Sequence, residues 1–450
     1  MSKTTGIKYV ILLTVIVVIV FTKPWKLYFS EDIQASSLSE AESSTLMPRK
    51  LIPASEIFRN SFSELPETQK MDHIIERFMK KWEIRGASFA LMKDDKLLYA
   101  KGYGFADDEL QIPTETHHIF RIASISKLIT AVGIMKLIED GNLHLNDLVF
   151  GPDGILNDTM YNQIRDSRIK TITVEHLLRH QAGFSTNYGD PMFCSVDIAK
   201  KMNVTPPADL NTIIRFVLSR RLRYTPGTST AYSNVGYGIL SKVIEKVSGE
   251  TYEEYIQKNI LHPAGCFDMH LGNNLYEDKH KHEVRYYETA TEELIPACDG
   301  SKRLVPKYYG GNNLEALSGA GAWVASPIEL LRFLAVIDGH PQIEDILKPE
   351  TITQMTTFTL NALPIGWMHI SYKGDWSRTG TLSGTSALMK KQHNGYSWVF
   401  VTNTSSWKGS KFPSYIEQTI QNALATVTEW PEKDLFELQI FNQQDYLVER

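Results

Sequence analysis

Ser124 and Lys127 stand three residues apart in Ala123-Ser124-Ile125-Ser126-Lys127. On a helix that spacing puts hydroxyl and amine on one face, a turn apart. An amine so placed takes a proton from the serine or holds it poised, which makes the serine a nucleophile. The spacing is common by itself: Ser167 with Lys170 and Ser405 with Lys408 repeat it. Only the first pair opens a long apolar run, Leu128 to Ile138, closed by Glu139-Asp140-Gly141. That run is apolar on nearly every side, so it predicts a helix buried in a domain, with Gly141 as its C-cap. A lysine at the start of a buried helix needs partners. A surface serine beside a snorkelling lysine is the competing reading of this stretch alone.

Two further groups carry chemistry. Tyr232-x-Asn234 falls at a loop-to-helix junction, and Arg378-Thr379-Gly380-Thr381 precedes an expected strand, with Gly384 close behind. The elements around them follow from local pattern. Residues 66–82 predict an amphipathic helix, and 88–92 with 96–102 predict a hairpin turning at Asp94-Asp95. Helices are expected after Thr173, over 210–222, over 236–247, after the capping box Thr251-x-x-Glu254, over 328–337 and over 413–426. Strand-like stretches return at 364–372, 383–389 and 397–402. Residues 270–315 read as polar loops over one face. Strands early and late with helices between predict an α+β fold. Its antiparallel sheet is flanked by helices, and a largely helical subdomain spans roughly 124–340.

The order and context of Ser124-x-x-Lys127, Tyr232-x-Asn234 and Arg378-Thr379-Gly380 match a known three-motif set. With the flanking Gly102-Tyr103-Gly104, Phe120-Arg121-Ile122, Glu175-His176-Leu177-Leu178 and Pro226-Gly227-Thr228, the chain resembles the serine β-lactamase and penicillin-binding protein superfamily. It is most similar to the branch of class C β-lactamases, D-alanyl-D-alanine carboxypeptidases and related esterases, over roughly 66–428. The resemblance implies an amide- or ester-cleaving serine hydrolase with Ser124 as the acylated nucleophile. Lys127 would accept its proton or stabilise its charge. Tyr232 would serve as a phenolate base. Asn234 would hold Lys127 and a substrate amide, and the backbone N–H groups of Ser124 and Thr381 would form an oxyanion hole. Thr379, Gly380 and Thr381 would line the substrate site. Neither metal nor cofactor is needed. Where the family carries Lys or His, this chain has Arg378, which cannot shuttle a proton. Its expected roles are to anchor an anionic substrate or to depress the Tyr232 pKa. Acyl transfer to an alcohol or amine, and a β-lactam-binding sensor without turnover, are the alternative functions. His180 is expected to pack in the core or hold a loop. His280-x-His282 beside Glu283 reads as a solvated charge run rather than a metal site.

Composition excludes several classes. The 450 residues are 42% hydrophobic and 22% charged, ordinary for a globular chain. Net charge is -5 without a basic block, which argues against a nucleic-acid partner. Cys194, Cys266 and Cys298 show no metal or redox spacing; a Cys266–Cys298 disulfide is open. Lys3 and Lys8 precede the apolar run Tyr9 to Phe21, followed by Trp25 and Tyr28. No small-residue cleavage site follows. The expectation is an uncleaved single-pass signal anchor over 9–29 in the cell membrane, with residues 1–8 cytoplasmic. A Ser/Glu-rich linker over 30–65 would tether a periplasmic or extracellular catalytic domain acting on a small-molecule or peptide substrate. Residues 429–450 form a tail with no assigned element.

Overall fold

A computed structural model describes residues 50–51, 53–187, 189–289 and 294–441. The expected anchor over 9–29 and most of the linker lie outside these residues, as does 442–450.

Nine elements frame the molecule: α1 (Gln69–Lys81), β1 (Gly86–Lys93), β2 (Lys96–Asp107), α2 (Ser126–Glu139), α3 (Asn234–Ser248), β3 (Trp376–Leu382), β4 (Thr385–Lys391), β5 (Tyr396–Thr402) and α4 (Phe412–Leu424). A seven-stranded antiparallel sheet runs in the order His369–Ile370, β3, β4, β5, β1, β2, Ile112–Pro113. The pairing of β1 with β5 joins the two ends of the chain. Asp94 and Asp95 take positive φ (47° and 62°), which a tight two-residue hairpin between β1 and β2 requires.

Both sheet faces are covered, so the strands are apolar at successive positions rather than alternate ones. Phe89, Leu91, Trp398 and Phe400 face α1 and α4, meeting Phe78, Phe412 and Ile416. The alternate residues Ala90, Met92, Val399 and Val401 join the larger core built on α2 and α3. Helix α2 is buried from Ser126 to Met135 without a break. Its apolar surround is what the all-round pattern demands. At its end Asp140 and Gly141 (φ 74°) close the last turn.

Several expectations need correction. The fold reaches beyond 66–428 at both ends. Lys50–Leu51 pairs with Ile440–Phe441, and Ala54, Phe58, Leu435 and Phe436 are buried. Isolated apolar residues in polar surroundings carry no period, so the linker and tail hid them. Residues 378–381 do not precede a strand; they lie inside β3. Of the strand expected over 364–372, only His369–Ile370 forms. Glu283 is not solvated: it is 3% exposed and accepts hydrogen bonds from the Tyr286 hydroxyl (2.8 Å) and His280 N (3.0 Å). His280 Nε2 sits 2.8 Å from the Leu271 carbonyl. Among the described residues no disulfide forms, so the open Cys266–Cys298 pairing is not made.

Candidate active site

Three segments distant in sequence meet at the start of α2. A 3-10 turn, Ala123–Ile125, leads into that helix and carries Ser124 on its rim. Ala123 is held at φ 47°, a left-handed conformation costly for a residue with a Cβ. Strand β3 lies against this turn. A Cβ at Gly380 would stand 2.1 Å from the Ile122 carbonyl oxygen, so only glycine lets the strand approach so closely. Beside it Arg378, 1% exposed, donates from Nε to the Ser124 carbonyl at 2.8 Å. The strained turn is thus pinned by a guanidinium and by a glycine contact.

Lys127 is fully buried. Its Nζ donates to Ser124 Oγ at 3.2 Å, Asn234 Oδ1 at 2.7 Å and the Ala320 carbonyl at 2.5 Å. Three acceptors match the three N–H bonds of an ammonium. Burial pulls its pKa below the usual lysine range, while the facing Tyr232 opposes that shift. The lysine predicted to need partners has them.

Tyr232 is the pivot. Its hydroxyl donates to Ser124 Oγ at 2.7 Å and accepts from Arg378 Nη2 at 3.3 Å. Lys127 Nζ lies 4.9 Å from the ring centroid, and the Arg378 guanidinium carbon 5.8 Å. Burial raises the phenol pKa, but the Lys127 and Arg378 charges outweigh it, and the net direction is downward. Next to it Ser233 caps α3, its hydroxyl accepting from Gly236 N at 3.1 Å. This cap sets Tyr232 just outside the helix and Asn234 on its first position. His180 Nδ1 accepts from Ser233 N at 3.1 Å, and its ring lies 4.6 Å from that of Tyr232. Burial and the two cations hold His180 well below the usual imidazole range; it is buried and holds a loop hydrogen bond, as expected.

Two participants left no sequence signal. Asp190 Oδ2 accepts from Asn234 Nδ2 at 2.6 Å, which turns the amide oxygen toward Lys127. Ala320 contributes only its carbonyl. Thr379, Gly380 and Thr381 all belong to β3. Met368 N donates to the Ser377 carbonyl at 3.0 Å, so Ser377, Thr379 and Thr381 turn their main chain toward the same edge of the strand. Beyond the His369–Ile370 pairing that edge has no strand neighbour among the described residues, which leaves the Thr381 N–H free to face a substrate oxygen. Thr379, Thr381 and Ser124 share one cavity of about 350 Å³ with Tyr232 and Asn234. Of the look-alike pairs, Ser167 with Lys170 sits in an isolated 3-10 turn, and Ser405 lies in a two-residue strand. Neither pair lines this cavity.

Ser, Lys and Tyr around one hydroxyl, under a buried arginine, are the constellation that the three motifs implied. The chain belongs to the Beta-lactamase family, whose model matches residues 71–417. Protein flp of Staphylococcus aureus (strain COL) is 30% identical over 358 residues, 79% of this chain and 66% of that protein. The chain therefore spans just under two thirds of that relative's length. A putative penicillin-binding protein, PbpX of Bacillus subtilis (strain 168), is 27% identical over 59% of this chain and 58% of its own. Among solved structures, the octameric penicillin-binding protein homologue from Pyrococcus abyssi aligns with TM-score 0.60 and 26% identity, over 81% of this chain and 78% of that one. D-amino acid amidase from Ochrobactrum anthropi SV3 aligns with TM-score 0.62 and 20% identity, over 81% and 99%, and shares the fold.

The Arg378 geometry makes a prediction within this β-lactamase-like site. Arg378→Gln removes one of the two cations that lower the Tyr232 pKa. The phenolate then forms only at higher pH, so the acid limb of the kcat/KM profile should move to higher pH. Arg378→Lys keeps the charge and should leave that limb near its original place. A pH–rate profile of both variants checks this. An unmoved limb in Arg378→Gln would detach Arg378 from the titration of Tyr232.

Proposed function

We propose that this chain is a serine hydrolase that cleaves an ester or amide through an acyl-enzyme on Ser124. The observation that carries the reading is the 2.7 Å contact between the Tyr232 hydroxyl and Ser124 Oγ, beside two buried cations. As phenolate, Tyr232 takes the Ser124 proton while Oγ bonds to the substrate carbonyl carbon. The carbonyl oxygen becomes an oxyanion, met by the N–H groups of Ser124 and Thr381, each worth ~3 kcal/mol. The tetrahedral species collapses, and the leaving group departs with the proton held by Tyr232. Water then attacks the acyl-enzyme, giving its proton to Tyr232, and Ser124 recovers a proton as the acid leaves. Lys127 stays charged throughout and keeps Tyr232 acidic. No step calls on a metal or cofactor.

Rapid mixing with a p-nitrophenyl ester tests the two-step scheme. The expected result is a burst of about one nitrophenolate per chain before slower turnover. A linear trace at every ester concentration, with no acyl adduct trapped by acid quench, would contradict it.

The membrane attachment is part of the same proposal. It rests on the apolar run Tyr9 to Phe21 and its flanking Trp25 and Tyr28. Among the described residues no helix is long and apolar enough to cross a bilayer. Carbonate extraction of the full chain, set against a chain lacking residues 1–48, reads this directly. Equal release of both into the supernatant would sink it.

A further inference from the structure

Among the described residues one cation, Arg378, lines the cavity in front of Ser124, and it is already committed. Arg378 gives Nε to the Ser124 carbonyl and Nη2 to Tyr232. Its remaining nitrogen, Nη1, has no partner among the described residues and essentially no exposed surface. A carboxylate seated in the cavity therefore has no guanidinium edge to grip. Lys127 is equally enclosed, with its three protons used inside the protein. Among the described residues no other Lys, Arg or His lines the space.

The rest of the lining is uncharged: Asn234 and Ser410 are neutral polar groups, and the remainder is largely apolar. Phe193, Leu317, Met368 and Leu382 form its walls, with the Thr379 and Thr381 hydroxyls as the polar points on β3. Phe193 is 45% exposed, a large aromatic surface left open to the cavity side of the loop that carries Asp190. Two threonine hydroxyls can orient a carbonyl or an amide, but do not offset the desolvation of an unpaired carboxylate.

We infer that the substrate of this site is neutral around the scissile bond and carries an apolar group: a hydrophobic ester or amide, not one with a free carboxylate beside the cleaved bond. This rests on the serine hydrolase reading above and narrows it. Of the two roles expected of Arg378, it favours the inward one, on Ser124 and Tyr232, over anchoring an anionic substrate. A cavity of about 350 Å³ sits at the small end of ligand sites, enough for one acyl or aryl group.

The test is a matched pair: N-acetyl-D-alanyl-oxyacetate, with a free carboxylate beside the ester, and N-acetyl-D-alanyl-oxyacetamide, its neutral counterpart. The amide-ended compound should show a kcat/KM roughly 10- to 100-fold higher. Along p-nitrophenyl acetate, butanoate and hexanoate, kcat/KM should rise by up to roughly fourfold per methylene until the cavity is full. Met368→Lys adds a cation to the wall and should shift the pair's ratio toward the carboxylate by about fivefold. Equal or faster turnover of the carboxylate by the unaltered protein overturns the inference while leaving Ser124 chemistry intact. A flat response along the acyl series overturns it too. If no compound is turned over and a fluorophosphonate does not label Ser124, the hydrolase reading fails first, and this inference with it.

Discussion

Lys127→Met should lower kcat by about three orders of magnitude while the protein melts near its original temperature. The two halves of this result come from one fact. Lys127 is fully buried and makes three hydrogen bonds. Enclosing an ammonium costs several kcal/mol of desolvation, so an apolar side chain of similar length relieves that cost. Against this, Asn234 Oδ1 and the Ala320 carbonyl lose their donor, at about 1–3 kcal/mol each. The terms nearly cancel, and the fold survives. Catalysis does not, because Tyr232 loses the cation that does most to lower its pKa and Ser124 loses a neighbour that steadies its developing charge. A lysine kept for structure would behave in the opposite way, with a lower melting temperature and near-normal turnover. Thermal melts and steady-state kinetics on one preparation separate the cases.

Tyr232→Phe is the second large effect. Removing a general base slows turnover by about 10²- to 10⁴-fold. The deletion is a single oxygen, bonded to Ser124 Oγ and Arg378 Nη2. The ring contact with His180 is retained, and the residue is 38% exposed, so stability should hardly change. The pH profile adds a sharper sign. Since the Tyr232 pKa is lowered in the folded protein, activity depends on a form present above that pKa and lost as pH falls through it. The acid limb set by this group should therefore vanish from the residual activity of Tyr232→Phe, whereas Arg378→Gln should move it upward. Turnover within tenfold of the unaltered protein would remove Tyr232 from the mechanism.

Most of this site was legible in the chain because its parts are side chains with fixed spacing. Ser124 with Lys127, Tyr232 with Asn234, and Arg378 through Thr381 each announce themselves by type and order. The structure brings Ser124, Tyr232, Asn234, Arg378, Thr379 and Thr381 to one cavity, with Lys127 buried beside Ser124 and Gly380 packed on Ile122 instead of lining it. Asp190 was not legible. It acts through Asn234 from an irregular loop, and an aspartate before a proline is an ordinary turn residue. Ala320 acts through its backbone, which no residue type reveals. Strand β3 was missed for a physical reason too. Gly380 and the polar Arg378 and Thr379 read as a breaker, yet the glycine is there because the Ile122 carbonyl leaves no room for a Cβ. The two-ended sheet was visible from strand-like stretches early and late. The boundaries were not, since Phe58 and Phe436 bury themselves from segments without period. The role of Arg378 needed coordinates: a sequence shows a cation, and only its hydrogen bonds show which way it points.

The central claim is that Ser124 is the residue that bonds covalently to substrate. Intact-mass measurement after treatment with a fluorophosphonate, followed by peptide mapping, tests it most directly. One adduct per chain is expected, located on the peptide bearing Ser124, and none in Ser124→Ala under the same conditions. An adduct on another residue, or labelling of Ser124→Ala at an undiminished rate, would contradict it.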